Sequence, residues 1–379
     1  MVTKANGQRT RGGGGGRWRP RWRGGGPLLL ALTLAAHLCG RARAAPDGQQ
    51  LYDDACASCH GLDGKGAPTG TAIGVPLPDF TDCLVATSEP EPNWEALVAH
   101  GGRFLGLSPQ MPAFADVLSA DEIKAVLAYI RSFCPNPAWP RGDLNFPRAV
   151  FVTKAFPEAE AVVAPFFTQQ TGARIYSLDL SVEARIGPRA QVELSVPLQL
   201  NDQQPGPTVG GFGDLALAAQ YVVFASLPAR SIVALANDLV LPSGDHDRGL
   251  GNGTVTFAPA LLADVSRWGF VLQTEFQGVL PVDVQRAPRY FLYAFALQYP
   301  LGPLRNALVP SLEFQSAQKI DGAVHDYTTL GPSLYVPLTK RGHVALGFGA
   351  QIPVSAHRPY DYQLGTFLLW DYLDGGLWW

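Results

Sequence analysis

Two hydrophobic periods divide the chain. From residue 45 to about 138 apolar positions recur at helical spacing, whereas after about 158 they alternate with polar ones. Leu51, Ala55 and Cys59, at i, i+4 and i+8, predict an N-terminal helix. Ile123, Val126, Leu127 and Ile130 predict a last helix, capped by Ser119 with Glu122 reaching back and ending near Phe133 and Cys134. Asn93 is expected to cap a third helix through His100, stopped by Gly101-Gly102. Pro135, Pro137 and Pro140 cannot continue a helix, so residues 139–157 read as a linker.

In the second half, Leu178, Leu180, Val182, Ala184 and Ile186 share one face, and Ser177, Asp179, Ser181, Glu183 and Arg185 share the other. Eleven such segments lie between Ile175 and Tyr372, most of them near the ~9–11 residues that a tilted strand needs to cross a bilayer. Their connections alternate. Those at 187–189 and near Pro228, Arg267, Pro303 and Arg341 are short; those at 201–212, 242–252, 281–288, 316–325 and 355–360 are long. Short turns on one side and long loops on the other fit an outer-membrane barrel with its short turns in the periplasm. One more outward strand, Ala159 to Thr168, makes about twelve and puts both ends on the periplasmic side. Aromatic residues near strand ends, such as Trp268, Tyr290, Phe291, Tyr299, Trp370 and Tyr372, suit interfacial girdles, and the tail ending in Trp379 resembles the terminal aromatic signal of such barrels. The predicted fold class is therefore α + β in two domains: a small all-α domain at 45–138, then an antiparallel transmembrane β-barrel of about 12 strands at 158–379. A soluble β-sandwich is the competing architecture, and Pro197, Pro259, Pro337 and Pro353 must then mark bulges or strand ends in either.

The first 44 residues hold nine Lys or Arg and no acid, then an apolar run from Pro27 to Leu38 and Ala42-Arg43-Ala44. This order reads as a secretory signal at 1–44. A lipid-attachment box at Cys39 is the weaker reading, because Ala36 and Leu38 fit it poorly. Removing nine cationic residues takes the formal charge from −3 to −12, which argues against nucleic acid and for partners with a basic docking surface. Of the four cysteines that remain, Cys83 and Cys134 stand as a disulfide or as two buried thiols.

Cys56 and Cys59 belong to Cys-Ala-Ser-Cys-His60. That spacing sets two thiols on one helical turn, where they add across the vinyl groups of haem while the next imidazole approaches the iron. Zinc would want two more clustered ligands, and a redox Cys-x-x-Cys leaves His60 unused. With the glycine-rich Gly61 to Pro68 that follows, residues 48–134 resemble class I c-type cytochromes. The resemblance implies one covalent haem c and, from a loop before the last helix, a methionine as second iron ligand. Met111, in Met-Pro-Ala-Phe 51 residues after His60, fits that place. His100 is the alternative sixth ligand and would lower the potential. With His60 and Met111 both on the metal, no position stays open for substrate, so an electron carrier is expected rather than an enzyme, with no catalytic residues.

Gly211-Phe212-Gly213-Asp214-Leu215 resembles a strand motif of a family of outer-membrane barrels assigned to transport in phenol-degradation pathways. Asp179, Glu183, Glu193, Asp214, Asp238, Asp264, Glu275 and Glu313 outnumber Arg185 on the polar faces. They read equally as a cation-favouring lumen or as hydrogen-bonded filler. The expected function is a mono-haem electron-transfer protein anchored in the cell outer membrane, its cytochrome domain in the periplasm and its barrel an anchor or a sheath for a second carrier. The alternative is a solute channel whose cytochrome senses redox state or takes electrons from a partner enzyme.

Overall fold

The computed structural model describes residues 46–68, 70, 72–302, 307–321 and 326–373. The basic leader with Cys39, and the tail ending in Trp379, lie outside the described residues. The first half is helical: α1 (Gly48–Ala55), α2 (Ala57–His60), α3 (Cys83–Ser88), α4 (Glu91–His100) and α5 (Ala120–Ser132). α1 starts on Asp47, whose carboxylate accepts from the amides of Gln49 and Gln50. The single helix expected through Cys59 is two, divided at Cys56. α5 carries the expected capping box between Ser119 and Glu122 and buries Ile123, Val126, Leu127 and Ile130. α4 starts earlier than expected, because Pro90 and Pro92 occupy positions whose N–H groups would be unpaired anyway. Asn93 therefore lies inside the helix, where its buried amide donates to Glu89. α1 and α5 cross closely because Gly48 has no side chain: a β-carbon there would come within 2.2 Å of the Ala125 carbonyl oxygen.

The second half is one closed antiparallel sheet: β1 (Glu160–Gln170), β2 (Ala173–Ile186), β3 (Ala190–Gln203), β4 (Thr208–Phe212), β5 (Leu215–Ser226), β6 (Ser231–Leu241) and β7 (Thr256–Arg267). It continues through β8 (Phe270–Pro281), β9 (Tyr290–Gln298), β10 (Val309–Lys319), β11 (Tyr327–Pro337), β12 (Val344–Pro353) and β13 (Tyr362–Asp371). β1 pairs with β13 and closes the barrel. β4 and β5 are two halves of one crossing, since β3 pairs with β5 over Ala190 to Ser195 and with β4 over Leu198 to Asp202. Twelve crossings result, which excludes the sandwich.

The strand prolines fall where the ladder tolerates them. Pro197 sits at the junction of β4 and β5, and its carbonyl accepts from Gly213. Pro259 lies where the β7–β8 pairing is interrupted, and Pro337 and Pro353 end their strands. The first crossing begins at Glu160 and turns into β2 through only Thr171 and Gly172, shorter than the other connections on that side. Leu180, Val182, Ile186, Leu194, Leu312 and Phe348 are exposed on the outer face, the apolar belt that a bilayer-facing surface requires, whereas Ser181, Glu183, Gln191 and Gln273 are buried inside.

The expected linker at 139–157 is corrected: its second part is a strap folded into the barrel. Leu144, Phe146, Ala155 and Phe156 pack against Val222, Ile232, Leu262 and Val271. Ala149 and Val152 pack against Ala294 and Ala296, and Val150 joins a cluster with Val162, Val309 and Phe367. Such a strap has no ladder partner, so its N–H groups need acceptors from the wall. Glu313 accepts from Val150 and Phe151 at 2.9 and 2.7 Å, Glu275 from Thr153 at 3.0 Å and Asp264 from Ala155 at 2.9 Å. Strap cations answer other carboxylates, Arg148 pairing with Glu183 and Lys154 with Glu158 and Glu160. Glycines make room for it: a β-carbon on Gly349 would lie 2.8 Å from the Phe151 ring.

Four of the eight expected lumen carboxylates thus hold the strap, Asp264, Glu275 and Glu313 through its amides and Glu183 through Arg148. Asp214 has a different task, accepting from the amides of Gly244 and Asn252 and so pinning the long 242–255 loop. Glu313→Ala, which strips the acceptor from two buried amides, is expected to destabilise the barrel by about 2–4 kcal/mol, and Glu313→Gln by clearly less. The temperature of the heat-modifiable gel shift reads this, and an unchanged temperature for Glu313→Ala would contradict the strap's anchoring.

Candidate functional site

The helical half builds its site where α1 runs into α2. Cys56 divides the two helices, and Cys59 follows one turn later, its amide donating to the Cys56 carbonyl at 3.1 Å. His60 ends α2, and Gly61 follows with φ +76°, a conformation that favours glycine and turns the chain away. The turn is fixed from below by Tyr52, fully buried, whose hydroxyl donates to the Gly61 carbonyl at 2.7 Å. The Phe80 amide donates to the Gly64 carbonyl at 2.7 Å, bringing the Phe80 ring onto the His60 imidazole, centroids 5.1 Å apart. Sequence reasoning missed both Tyr52 and Phe80; Tyr52 is the one buried residue of its helix.

Met111 packs on the cluster of Tyr52, Phe80, Trp94 and Val98. Its loop is laced to the end of α4: the Gly102 amide donates to the Met111 carbonyl at 3.1 Å, and Phe114 and Ala115 donate to Val98 and Ala99. Gly101 and Gly102, read from sequence only as a helix stop, seat this loop. A β-carbon on Gly102 would fall 2.1 Å from the Ser108 carbonyl oxygen. His100 is exposed and lies against Phe104, ring centroids 4.7 Å apart and tilted by 48°. The structure thus brings His60 and Met111 to one apolar core and leaves His100 at the surface.

The cysteines divide into two chemical classes. Cys83 and Cys134 form a disulfide, whereas Cys56 and Cys59 are free. Burial, and then the neighbouring Cys59 sulfur, push the Cys56 thiol up to about 11, which keeps it protonated and slow to oxidise. Burial lowers the pKa of His60 and so favours the neutral imidazole that can bind a metal, and its buried Nδ1 makes no hydrogen bond. Among the described residues no group of three or more His, Cys, Asp or Glu is placed to hold a metal, so the cysteine pair has no zinc-type ligand set. Two reduced thiols, a neutral imidazole and a thioether around an apolar core fit a covalently held haem c. Cys56 and Cys59 could bind its vinyl carbons, and His60 and Met111 its iron.

A profile described as "Cytochrome C oxidase, cbb3-type, subunit III" matches residues 43–130, and one described as "Putative MetA-pathway of phenol degradation" matches residues 151–362. Among curated proteins, none matches the chain significantly. Among solved structures, the chain is similar to the COG4313 outer membrane channel from Pseudomonas putida F1, with 14% identity and a TM-score of 0.44 over 57% of this chain and 96% of that one. It is similar also to the NanC porin, with 8% identity and a TM-score of 0.40 over 55% and 97% of the two chains. The outer membrane phospholipase of Salmonella typhi follows, with 11% identity and a TM-score of 0.33 over 57% and 91%. With more than half its length covered by that one profile, the chain belongs to the family described as the MetA-pathway of phenol degradation, its barrel preceded by a c-type cytochrome domain.

Proposed function

We propose that this chain is a mono-haem electron-transfer protein anchored in the outer membrane by its own barrel, exchanging single electrons with protein partners in the periplasm or outside. The observation that carries the reading is that Cys56, Cys59 and His60 lie on one short helix junction, with His60 stacked on Phe80 and Met111 packed on the same apolar core. Thioether bonds from these two sulfurs would hold haem c with His60 directed at its iron. Bound there, haem supplies a one-electron couple. The protein's part is to hold His60 flat against Phe80, to keep Met111 on its laced loop and to exclude water with Trp94, Val98 and Leu127. With His60 and Met111 both serving as iron ligands, no position would stay open for a reacting molecule, which supports a carrier.

The helical domain meets the barrel at the turns that follow β2 and β11, the short-turn side, and this supports a periplasmic position for it. Leu62, Phe104, Leu107 and Val117 are exposed around the His60 and Met111 loops, at 70%, 44%, 36% and 73% of their surface. They form an apolar contact patch for a redox partner, whose basic rim would answer the acidic mature chain. The strap packs against the inner wall of the barrel, which supports the barrel as anchor over the sheath for a second carrier.

Two measurements test this reading. On a denaturing gel the mature chain keeps haem stain, and Cys56→Ala with Cys59→Ala loses it; stain retained by the double variant would refute covalent attachment at these residues. Met111→His, which replaces the thioether by a second imidazole, lowers the reduction potential of the full chain, as bis-histidine ligation does. An unchanged potential and spectrum would remove Met111 from the metal.

A further inference from the structure

Two neighbouring turns on the short-turn rim, Leu227 to Arg230 between β5 and β6 and Trp268-Gly269 between β7 and β8, place large side chains where turns usually have none. Arg230 and Trp268, with φ of +47° and +53°, are the two residues other than glycine that stand in the left-handed region among the described residues. Tight turns take Gly or Asn at such positions, because a larger side chain is strained there. Both exceptions line the same cleft of about 540 Å³, together with Pro228, Ser266, Arg267 and Gly269. The turns are also bonded to each other, the Ser266 amide donating to the Arg230 carbonyl at 2.9 Å. Strain kept at two adjoining positions calls for a task that the side chains themselves perform.

The chemistry of the cleft is cationic and aromatic. Arg230 and Arg267 are exposed, and neither meets a carboxylate among the described residues. Arg267 lies over the Trp268 ring at 5.3 Å, and Trp268 is itself 85% exposed. Beside the cleft the outer surface is apolar. Arg267 stands opposite Phe270 in the ladder, on the outward face that also carries Leu261, and Phe270 packs on Tyr299 with ring centroids 5.0 Å apart. Leu227, Phe270 and Tyr299 are all exposed. The helical domain seats on the turns after β2 and β11, elsewhere on the rim. We propose that this cleft binds the headgroup of an anionic phospholipid of the periplasmic leaflet, its phosphodiester accepting from Arg230 and Arg267 and its chains lying on Leu227, Phe270 and Tyr299. Trp268 takes the interfacial level between them, where an aromatic ring is both wet and apolar. A free phosphate would meet two solvated arginines only, whereas a lipid adds the apolar contact that makes the site worth its strain. This site goes beyond electron transfer and needs no haem; it rests on the short-turn rim facing the periplasm.

The test uses the whole haem-loaded chain, delipidated in detergent and mixed with equal amounts of phosphatidylglycerol and phosphatidylcholine of the same chain length, with native mass spectrometry counting the lipid that stays bound. The native chain retains phosphatidylglycerol in roughly tenfold preference, as two interfacial cations should give. Arg230→Gln with Arg267→Gln, judged folded by heat-modifiable migration and retained haem stain, loses the preference. If that double variant fails to fold, Arg267→Gln alone takes its place. Arg230→Gly, which relieves the left-handed strain, keeps or raises the temperature of the heat-modifiable shift and still weakens phosphatidylglycerol retention, a division that a purely structural arginine would not show. Equal retention of the two lipids, or a preference kept by the arginine variants, would overturn the site. Glycerol phosphate displacing the lipid at equal concentration would overturn the lipid as its occupant, and a lowered transition in Arg230→Gly would make that arginine structural.

Discussion

A polypeptide threaded inside a closed barrel has no strand to pair with, and its backbone donors must still be satisfied. That constraint organises this molecule. Glu313, Glu275 and Asp264, from β10, β8 and β7, supply the acceptors for Val150, Phe151, Thr153 and Ala155. The wall between and beside them is built small, with Ala294, Ala296 and Gly349 facing the strap. A carboxyl group offers two acceptor oxygens, so Glu313 serves the amides of Val150 and Phe151 at once. The cost of burying such groups is offset by those bonds, and nearby lumen carboxylates are matched by Arg148 and Lys154.

The helical domain solves a different problem with the same economy of means. Gly48 lets α1 and α5 cross closely, and that crossing fixes Tyr52, which in turn fixes the turn after His60. Gly101 and Gly102 fix the other side of the core by letting the Met111 loop lie flat on the end of α4. The two iron-ligand candidates therefore owe their places to glycines and one tyrosine more than to their own contacts. The domain is then fastened to the barrel through charged groups around the strap's foot, so the two architectures share one segment of chain.

Much of this was legible in the sequence, for identifiable reasons. Period-two alternation and alternating loop lengths are imposed by the barrel wall itself, so the number of crossings and their order are written in the residue pattern. The cysteine spacing and the lone internal methionine carried the site. The strap was not legible as such because it has no period: its donors find partners more than a hundred residues away on strands that it does not join. A signal was nonetheless present, since Leu144, Phe146, Val150, Phe151, Val152 and Phe156 are too apolar for a solvated linker. The small residues that interrupt the polar inner faces were the other half of that signal. Asp214 shows the opposite limit, because alternation placed it among the lumen acids while its neighbouring glycines turn it to the loop.

The most direct test of the strap at the centre of this account is hydrogen exchange of residues 150–155 in the full haem-loaded chain. With the strap anchored in the lumen, the amides of Val150, Phe151, Thr153 and Ala155 are protected as strongly as those of the surrounding strands. Exchange at the rate of an exposed loop would contradict it.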